Sequence, residues 1–98
     1  MNRSEIIERI RENEVAIRAE GVAHLAIFGS RARGDAQSDS DLDVLIEVSP
    51  DRRFSLLNLS GVGLLIEDAT GLATQVVLER SVEPGFKSRI ADDLQPVF

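Results

Sequence analysis

Two short segments of the chain combine residue types that could bind a nucleotide and a metal ion. Gly29 and Ser30 follow an apolar run, and Asp41 and Asp43 lie at the start of another. A glycine–serine bend suits phosphate oxygens, because glycine lets the backbone approach closely and the following N–H groups are free. Two carboxylates on one strand face repel each other, and Mg²⁺ shared with phosphates prefers such oxygen ligands. The two segments therefore predict a metal–nucleotide site.

Arg31 and Arg33 lie within the first segment and leave two interpretations open. Their positive charges could contact the phosphates of a nucleotide, and Arg33 is the one we assign to nucleotide binding. Alternatively, they could form surface ion pairs with Asp35 or Asp39, each worth about 0–1 kcal/mol.

The composition indicates one ordinary globular domain over residues 1–98. The chain is 43% hydrophobic and 29% charged, with a formal net charge of −6. It contains no cysteine, which excludes disulfides, Cys-ligated zinc and thiol catalysis. An acidic surface disfavours broad contact with nucleic-acid phosphates, and no apolar run approaches the roughly 20 residues of a membrane span. We therefore expect a cytoplasmic protein that binds neither nucleic acid nor membrane.

The elements that must position these residues follow from hydrophobic periodicity and turn residues. We predict the order α-β-(short α)-β-α-β-α, which indicates a small α/β (α+β) sandwich. The predicted helices cover residues 4–20, 30–33, 54–69 and 86–94, and the predicted strands cover residues 22–28, 42–48 and 73–78. Gly21 and Gly71 are expected to end the two long helices, and Pro84-Gly85 is predicted to be a turn.

Apolar residues at helical spacing predict which faces the two long helices bury. The core candidates of the first are Ile6, Ile7, Ile10, Val15 and Ile17, and those of the second are Leu56, Leu57, Leu59, Leu64, Leu65 and Ile66. Gly61 and Gly63 weaken the second helix by about 1 kcal/mol each and are interpreted as a close packing point. Asn2 and Glu5 have the spacing of a capping box at the start of the first helix.

The segment that carries the chemistry resembles the minimal nucleotidyltransferases of the DNA polymerase beta superfamily. Their signature is Gly-Ser, a few residues including Arg-Gly, and then Ser-Asp-x-Asp-Leu-Asp before an apolar strand. In this chain it reads Gly29-Ser30-Arg31-Ala32-Arg33-Gly34 and Ser38-Asp39-Ser40-Asp41-Leu42-Asp43. The resemblance implies a nucleotidyltransferase fold, in which a small mixed β-sheet is packed with helices, over essentially the whole chain.

The resemblance also implies a reaction, nucleotidyl transfer from a nucleoside triphosphate to a hydroxyl group. By that resemblance, Gly29, Ser30 and Arg33 would bind the nucleotide. Asp41 and Asp43 would be the catalytic metal ligands for Mg²⁺, with two ions in an active enzyme and one in an impaired site. ATP would be the substrate and AMP the group transferred.

Gln75 is the position at which the sequence departs from the family pattern. The family places a third carboxylate on the strand after the second long helix, where this chain reads Ala73-Thr74-Gln75-Val76-Val77. A glutamine amide carries no charge and cannot act as a base. Nucleotide–Mg²⁺ binding is therefore expected to survive better than catalysis.

Two functions are in competition at the level of sequence, beside a third in which the chain is a bare regulatory nucleotide sensor that binds ATP tightly. In the first, the chain is a nucleotidyltransferase that modifies a hydroxyl on a small helical HEPN-type partner, as the antitoxin of a toxin–antitoxin pair. In the second, Gln75 has removed transfer activity and the chain neutralises its partner by occlusion alone. A homo-oligomer is compatible with either function.

Overall fold

The computed structural model describes every residue from Met1 to Phe98 and contains four strands and five helices. The helices are α1 (Arg3–Arg11), α2 (Glu14–Ala19), α3 (Ser30–Arg33), α4 (Leu56–Thr70) and α5 (Pro84–Ile90). The strands are β1 (Val22–Phe28), β2 (Leu42–Val48), β3 (Thr74–Leu78) and β4 (Gln95–Pro96), and a 3₁₀ turn over Glu79–Ser81 follows β3. None of these helices combines the length and apolar character that a bilayer span requires.

The four strands form one mixed sheet in the order β3-β2-β1-β4. β1 runs antiparallel to β2 and β4, whereas β2 and β3 are parallel. Parallel neighbours need a crossover connection, and α4 supplies it between β2 and β3. The predicted α/β class with a small mixed sheet is confirmed.

Two apolar clusters cover the two faces of this sheet. The larger joins α1, α2 and α4 to one face and includes Ile10, Ile17, Val44, Val62 and Ile66. The smaller contains Phe28, Leu45 and Ile90, the last of which belongs to α5. Because side chains alternate along a strand, Asp43 shares the second face with Leu45.

The single helix predicted over residues 4–20 is wrong, because the chain forms α1 and α2 with a break at Asn13. The side-chain amide of Asn13 donates to the carbonyl of Arg9 at 3.1 Å, and its backbone N–H donates to the carbonyl of Ile10 at 2.9 Å. Asparagine competes for helix backbone groups in this way. Val15, predicted to lie beside the core, is 85% exposed, because α2 buries Ile17 and a residue two positions earlier lies on the opposite side of a helix.

Helix α4 confirms its predicted position but buries a narrower face than expected. It ends at Gly71, which adopts the left-handed conformation with φ +72°, as predicted. Three of its core candidates are wrong, because Leu56, Leu57 and Leu64 are 81%, 84% and 60% exposed. Val62 and Ile66, among others, form the buried side. The opposite side of α4 is therefore an exposed apolar surface.

The C-terminal quarter differs most from the sequence prediction. The predicted turn at Pro84-Gly85 is wrong, because these residues begin α5, and proline suits the first turn of a helix. The predicted last helix ends at Ile90 rather than at residue 94. β4 was not predicted, since two residues carry no periodicity, and beyond it Val97 donates its N–H to the carbonyl of Leu25 at 2.8 Å.

Candidate active site

Gly29 and the carboxylate of Asp43 are in contact at one end of the sheet. Phe28 ends β1 and pairs with Asp43 on β2, so the following bend passes directly beside that carboxylate. A Cβ atom at Gly29 would collide with Oδ2 of Asp43. Gly29 also has φ +75° and ψ −159°, a conformation that is essentially restricted to glycine. The structure thus brings the predicted bend and the predicted carboxylate pair together.

Asp41 and Asp43 are close enough for their charges to interact. Leu42 between them is fully buried, so the acids on either side of it point toward the opposite face. Burial is the first cause that raises the pKa of Asp43 above its ordinary value, and the charge of Asp41 is the second, whereas Arg33 lowers it. Two acids in this arrangement favour a bound cation.

The bend opens the one-turn helix α3. Gly29 is its N-cap, and its carbonyl accepts hydrogen bonds from the N–H groups of Ala32 and Arg33 at 3.1 and 3.0 Å. The N–H groups of Ser30 and Arg31 come too early in the helix to have a partner within it. They are therefore available to an anionic ligand beside Asp43.

Arg31 holds the loop that leads to Asp41. Its side chain is buried at 9% exposure. It donates to the carbonyl of Ser40 through Nη2 at 2.9 Å and through Nε at 3.2 Å, and to the carbonyl of Ser38 at 3.4 Å. Sequence reasoning missed this positioning role, because no spacing distinguishes Arg31 from the exposed arginine two residues later.

Arg33 is engaged in two surface ion pairs. Its Nε contacts Oδ2 of Asp35 at 3.1 Å, and its Nη1 contacts Oδ2 of Asp93 at 2.8 Å. The ion-pair interpretation with Asp35 is confirmed, whereas the sequence carried no signal for Asp93, which lies 60 residues away. The charge of Arg33 still lowers the pKa of Asp43, so Arg33 lies near the site, and its contact with a nucleotide stays a prediction.

Gln75 lies beside Asp43 on the neighbouring strand. The parallel register of β2 and β3 pairs Asp43 with Gln75, and residues paired in this way share a sheet face. The exposed amide of Gln75 thus stands where the resemblance expects the third carboxylate. Glu79, the next acid along the chain, begins the 3₁₀ turn and pairs with Lys87 at 2.7 Å.

Asp41 and Asp43 are the residues that could hold Mg²⁺. Their oxygens are the hard ligands that this ion prefers, and a cation would relieve the repulsion between them. Nowhere in the chain do three His, Cys, Asp or Glu side chains converge on one point, and Gln75 offers only a neutral carbonyl oxygen. This donor set fits a divalent ion that takes its other ligands from phosphate and water.

Comparison with known protein families and sequences gives a consistent assignment. The family model described as nucleotidyltransferase domain matches residues 3–97. The chain is also similar to protein adenylyltransferase MntA of Thermococcus cleftensis, with 31% identity over 70 residues that cover 71% of this chain and 69% of that protein.

Solved structures with this fold extend the similarity over nearly the whole chain. One assigned as a minimal nucleotidyltransferase has 29% identity and a TM-score of 0.72, covering 98% of this chain and 96% of that chain. Another contains a tri-AMPylated Shewanella oneidensis HEPN toxin in complex with an MNT antitoxin. Its matching chain has 11% identity and a TM-score of 0.66, and the match covers 98% of this chain and 71% of that one. At 11% identity the likeness shows the fold alone. Because the family model spans residues 3–97 and the signature residues converge at one end of the sheet, the chain belongs to the nucleotidyltransferase domain family.

Proposed function

We propose that this chain is a minimal nucleotidyltransferase that transfers AMP from ATP to a hydroxyl on a partner protein. In this proposal the partner is a small helical HEPN-type protein, and the chain acts as its antitoxin, as a single domain in the ATP-containing cytoplasm. The names of similar proteins support the proposal. One relative is called a protein adenylyltransferase, and one structure with the same fold pairs an AMPylated HEPN toxin with an MNT antitoxin.

The observation that carries the proposal is the contact between Gly29 and the carboxylate of Asp43. It brings a phosphate-binding bend and a pair of acids within reach of one triphosphate. A structural role alone does not account for it, because the entropy lost in ordering a glycine and the half-buried acid beside Asp41 both cost stability. Such costs are typical of functional sites.

The residues support a simple division of roles in the reaction. The hydroxyl oxygen of the acceptor forms a bond to the α-phosphorus of ATP while the bond to the β-phosphate oxygen breaks, and pyrophosphate leaves. Ser30 and the free N–H groups of α3 hold the triphosphate. Asp41 and Asp43 hold Mg²⁺, which when bound would neutralise phosphate charge and align the reacting oxygens. Gln75 can accept a hydrogen bond from the hydroxyl but not its proton, so the proton passes to water.

A second function, neutralisation of the partner by occlusion, is favoured by one specific observation. Gln75 occupies the register position beside Asp43, and no third acid joins the pair. In this alternative the chain binds Mg²⁺–ATP and the partner but transfers nothing. The exposed apolar side of α4 then serves binding rather than catalysis.

Transfer of labelled AMP separates these two functions. The chain is incubated with MgCl₂, ATP labelled at the α-phosphate, and a HEPN-type protein encoded next to it. Enzymatic function predicts covalent label on the partner. The label is lost in the double variant Asp41→Asn with Asp43→Asn and kept in Asp39→Asn, which removes one carboxylate from the exposed loop next to the pair.

The variant Gln75→Asp tests the account of the missing carboxylate. An added anionic ligand beside Asp43 should raise the transfer rate at least tenfold, since metal activation of the acceptor is the step that it supports. Neutralisation that persists in the double variant without any label would establish occlusion instead. If Gln75→Asp transfers no faster than the parent, the proposed role of this position is wrong.

A further inference from the structure

A groove of about 500 Å³ runs between α4 and the outer edge of β3. Its apolar lining includes Leu64, Gly63 and Val76, and it extends to Thr74 and Gln75. It therefore reaches from the exposed side of α4 to the residue that is paired with Asp43. The transfer reaction proposed above assigns no role to the groove beside β3.

Beyond Thr74, whose outward N–H is bonded to Glu67, the outer edge of β3 lacks the usual protection of edge strands. β3 is the last strand of the sheet on this side, and its sequence TQVVL contains neither charge nor proline. Natural edges normally carry such residues to prevent pairing with another chain. An unprotected edge beside a catalytic site is a template for an additional strand.

The hydrogen-bond pattern shows which backbone groups face outward from β3. The N–H of Leu42 donates to the carbonyl of Ala73 at 2.8 Å, so residues 73, 75 and 77 point their backbone groups toward β2. By alternation, those of Thr74, Val76 and Leu78 point outward. Oε2 of Glu67 accepts the outward N–H of Thr74 at 3.0 Å, which agrees with this assignment. Val76, in the middle of the strand, presents both a donor and an acceptor to an incoming segment.

Gly63 deepens the groove at a cost to the helix. A glycine inside a helix destabilises it by about 1 kcal/mol relative to alanine. At Gly61 the close carboxylate of Glu20, 3.1 Å from an added Cβ, explains the glycine. At Gly63 an added Cβ would meet only Val76 Cγ2, at an ordinary 3.8 Å. Internal packing therefore does not require Gly63, and the absent side chain leaves more room in the groove.

The position of the groove suits the delivery of an acceptor. Strands in a sheet are about 4.8 Å apart, so a strand added to β3 would lie about 5 Å from Gln75 and about 10 Å from Asp43. A long hydroxyl-bearing side chain on that strand, directed to the face of Gln75, can span the distance to the acid pair. The amide oxygen of Gln75 would accept a hydrogen bond from that hydroxyl on the way.

The charges around the groove indicate which charge the incoming segment carries. Glu67 is the one charged side chain in the lining, and Asp41 and Asp43 lie one strand away. No basic residue lines the groove. Complementary charge speeds association and suppresses wrong partners, so a segment that alternates basic and apolar residues fits this surface.

We propose that the acceptor protein docks by adding an extended, basic segment to the outer edge of β3, with its apolar side chains in the groove beside Leu64 and Gly63. This inference rests on the function proposed above and names the surface that presents the acceptor. Main-chain hydrogen bonds to Val76 supply affinity, and the groove supplies side-chain selectivity, as in other strand-addition complexes.

The test uses the isotopically labelled chain and a defined peptide probe, followed by NMR. The probe is a nine-residue peptide in which lysine and valine alternate around a central tyrosine. We expect it to shift the amide signals of Val76 and Leu78, which face outward, more than those of Gln75 and Val77, which pair with β2. A parallel titration with Mg²⁺–ATP follows the amides of Gly29 and Ser30, and it tests the proposed function independently of the peptide.

Two variants and a matched control make the test specific. Leu64→Lys introduces charge repulsion at a residue that is 60% exposed and lines the groove, and should weaken peptide binding at least tenfold. Val15→Lys makes the same change at an 85% exposed residue on α2 and should bind as the parent does. Val76→Pro removes the outward donor without removing a bond to β2, since proline is tolerated on edge strands, and should also weaken binding tenfold.

Three results would overturn the docking proposal. The peptide could leave the Val76 and Leu78 amides unshifted at millimolar concentration, or it could bind Leu64→Lys as tightly as the parent. The Val76 amide shift could instead depend on the concentration of the chain alone. That result would show that a second copy of the chain pairs with the outer edge of β3. If Mg²⁺–ATP fails to shift Gly29 and Ser30, the proposed catalytic function is wrong, whatever the peptide does.

Discussion

At Gly29 the side chain of every other amino acid would meet both a forbidden backbone conformation and an occupied space. The backbone has φ +75° and ψ −159°, and the Asp43 carboxylate fills the position of a Cβ. We expect Gly29→Ala to lower the free energy of unfolding by about 3 kcal/mol and to abolish Mg²⁺–ATP binding, because the acid must move. Urea denaturation and nucleotide titration measure the two effects.

Gly34 provides the control for that substitution. It also has a positive φ of +88°, but nothing lies within 4 Å of an added Cβ. Gly34→Ala should therefore show only the backbone cost of about 1–2 kcal/mol and should keep nucleotide affinity within twofold. Equal loss of affinity in the two variants would show that the contact with Asp43 is unimportant.

The raised pKa of Asp43 predicts how stability depends on pH. The folded protein holds the proton of Asp43 more tightly than the unfolded chain does, because of burial first and Asp41 second. The corresponding stabilisation is full below the ordinary value of 3.8 and is lost as the pH rises through the raised pKa. At pH 7 ionised Asp43 is therefore destabilising.

We expect Asp43→Asn to be more stable than the parent at pH 7 by up to about 1 kcal/mol, a small value because the group is partly solvated. The difference should shrink as the pH falls toward 3. Asp41→Asn removes only the second cause and should give a smaller gain. Thermal unfolding across this pH range measures both, and an advantage of Asp43→Asn that grows on acidification would contradict the assignment.

Among single residues, sequence predicts those whose chemistry is local. The bend at Gly29 and the alternation around Leu42 are short-range patterns, and both are found where expected. The second partner of Arg33, Asp93, could not be predicted, because it reaches Arg33 only through tertiary structure. The buried state of Arg31 depends on the path of the loop, which has no periodic signal.

At the scale of elements, two arginines on α3 have different tasks. Arg31 ties the helix to the loop before β2 through three hydrogen bonds to two carbonyl oxygens, whereas Arg33 makes exposed ion pairs. Hydrogen bonds from a buried charged group contribute about 1.5–3 kcal/mol, and exposed ion pairs about 0–1 kcal/mol. The helix and the loop therefore move as one unit because of Arg31.

We expect Arg31→Ala to lower the free energy of unfolding by about 2 kcal/mol and to weaken Mg²⁺–ATP binding, since the loop positions Asp41. Arg33→Ala should lower it by less than about 1 kcal/mol. Chemical denaturation gives the stabilities, and hydrogen exchange reports the loop over residues 36–40. Faster exchange in Arg33→Ala than in Arg31→Ala would contradict this division of roles.

The elements that were predicted wrongly share a physical cause. Periodicity shows that a segment is amphipathic, but it does not show which apolar residues find a neighbour. The leucines at 56, 57 and 64 continue the apolar pattern of α4, yet no other element of this chain covers them. The break at Asn13 coincides with the two hydrogen bonds that this residue donates to Arg9 and Ile10, and β4 pairs only with β1.

At the scale of the whole molecule, the sheet separates stability from function. One face, covered by α1, α2 and α4, holds the larger apolar cluster. The other face carries Asp43 and Gln75 at one end and the small cluster around Ile90 below them. Substitutions near Asp43 and Gln75 can therefore occur without disturbing the larger apolar cluster on the other face.

The pairing of β4 with β1 also has a consequence for synthesis on the ribosome. Ala26 and Ile27 belong to the first strand, but their neighbours Pro96 and Gln95 are among the last residues of the chain described here. The nascent polypeptide thus exposes one side of a hydrophobic inner strand until residues 95–98 leave the exit tunnel. During that interval the open side of β1 can pair with other chains. A chaperone bound to the nascent chain would therefore protect β1 most before residues 95–98 are translated.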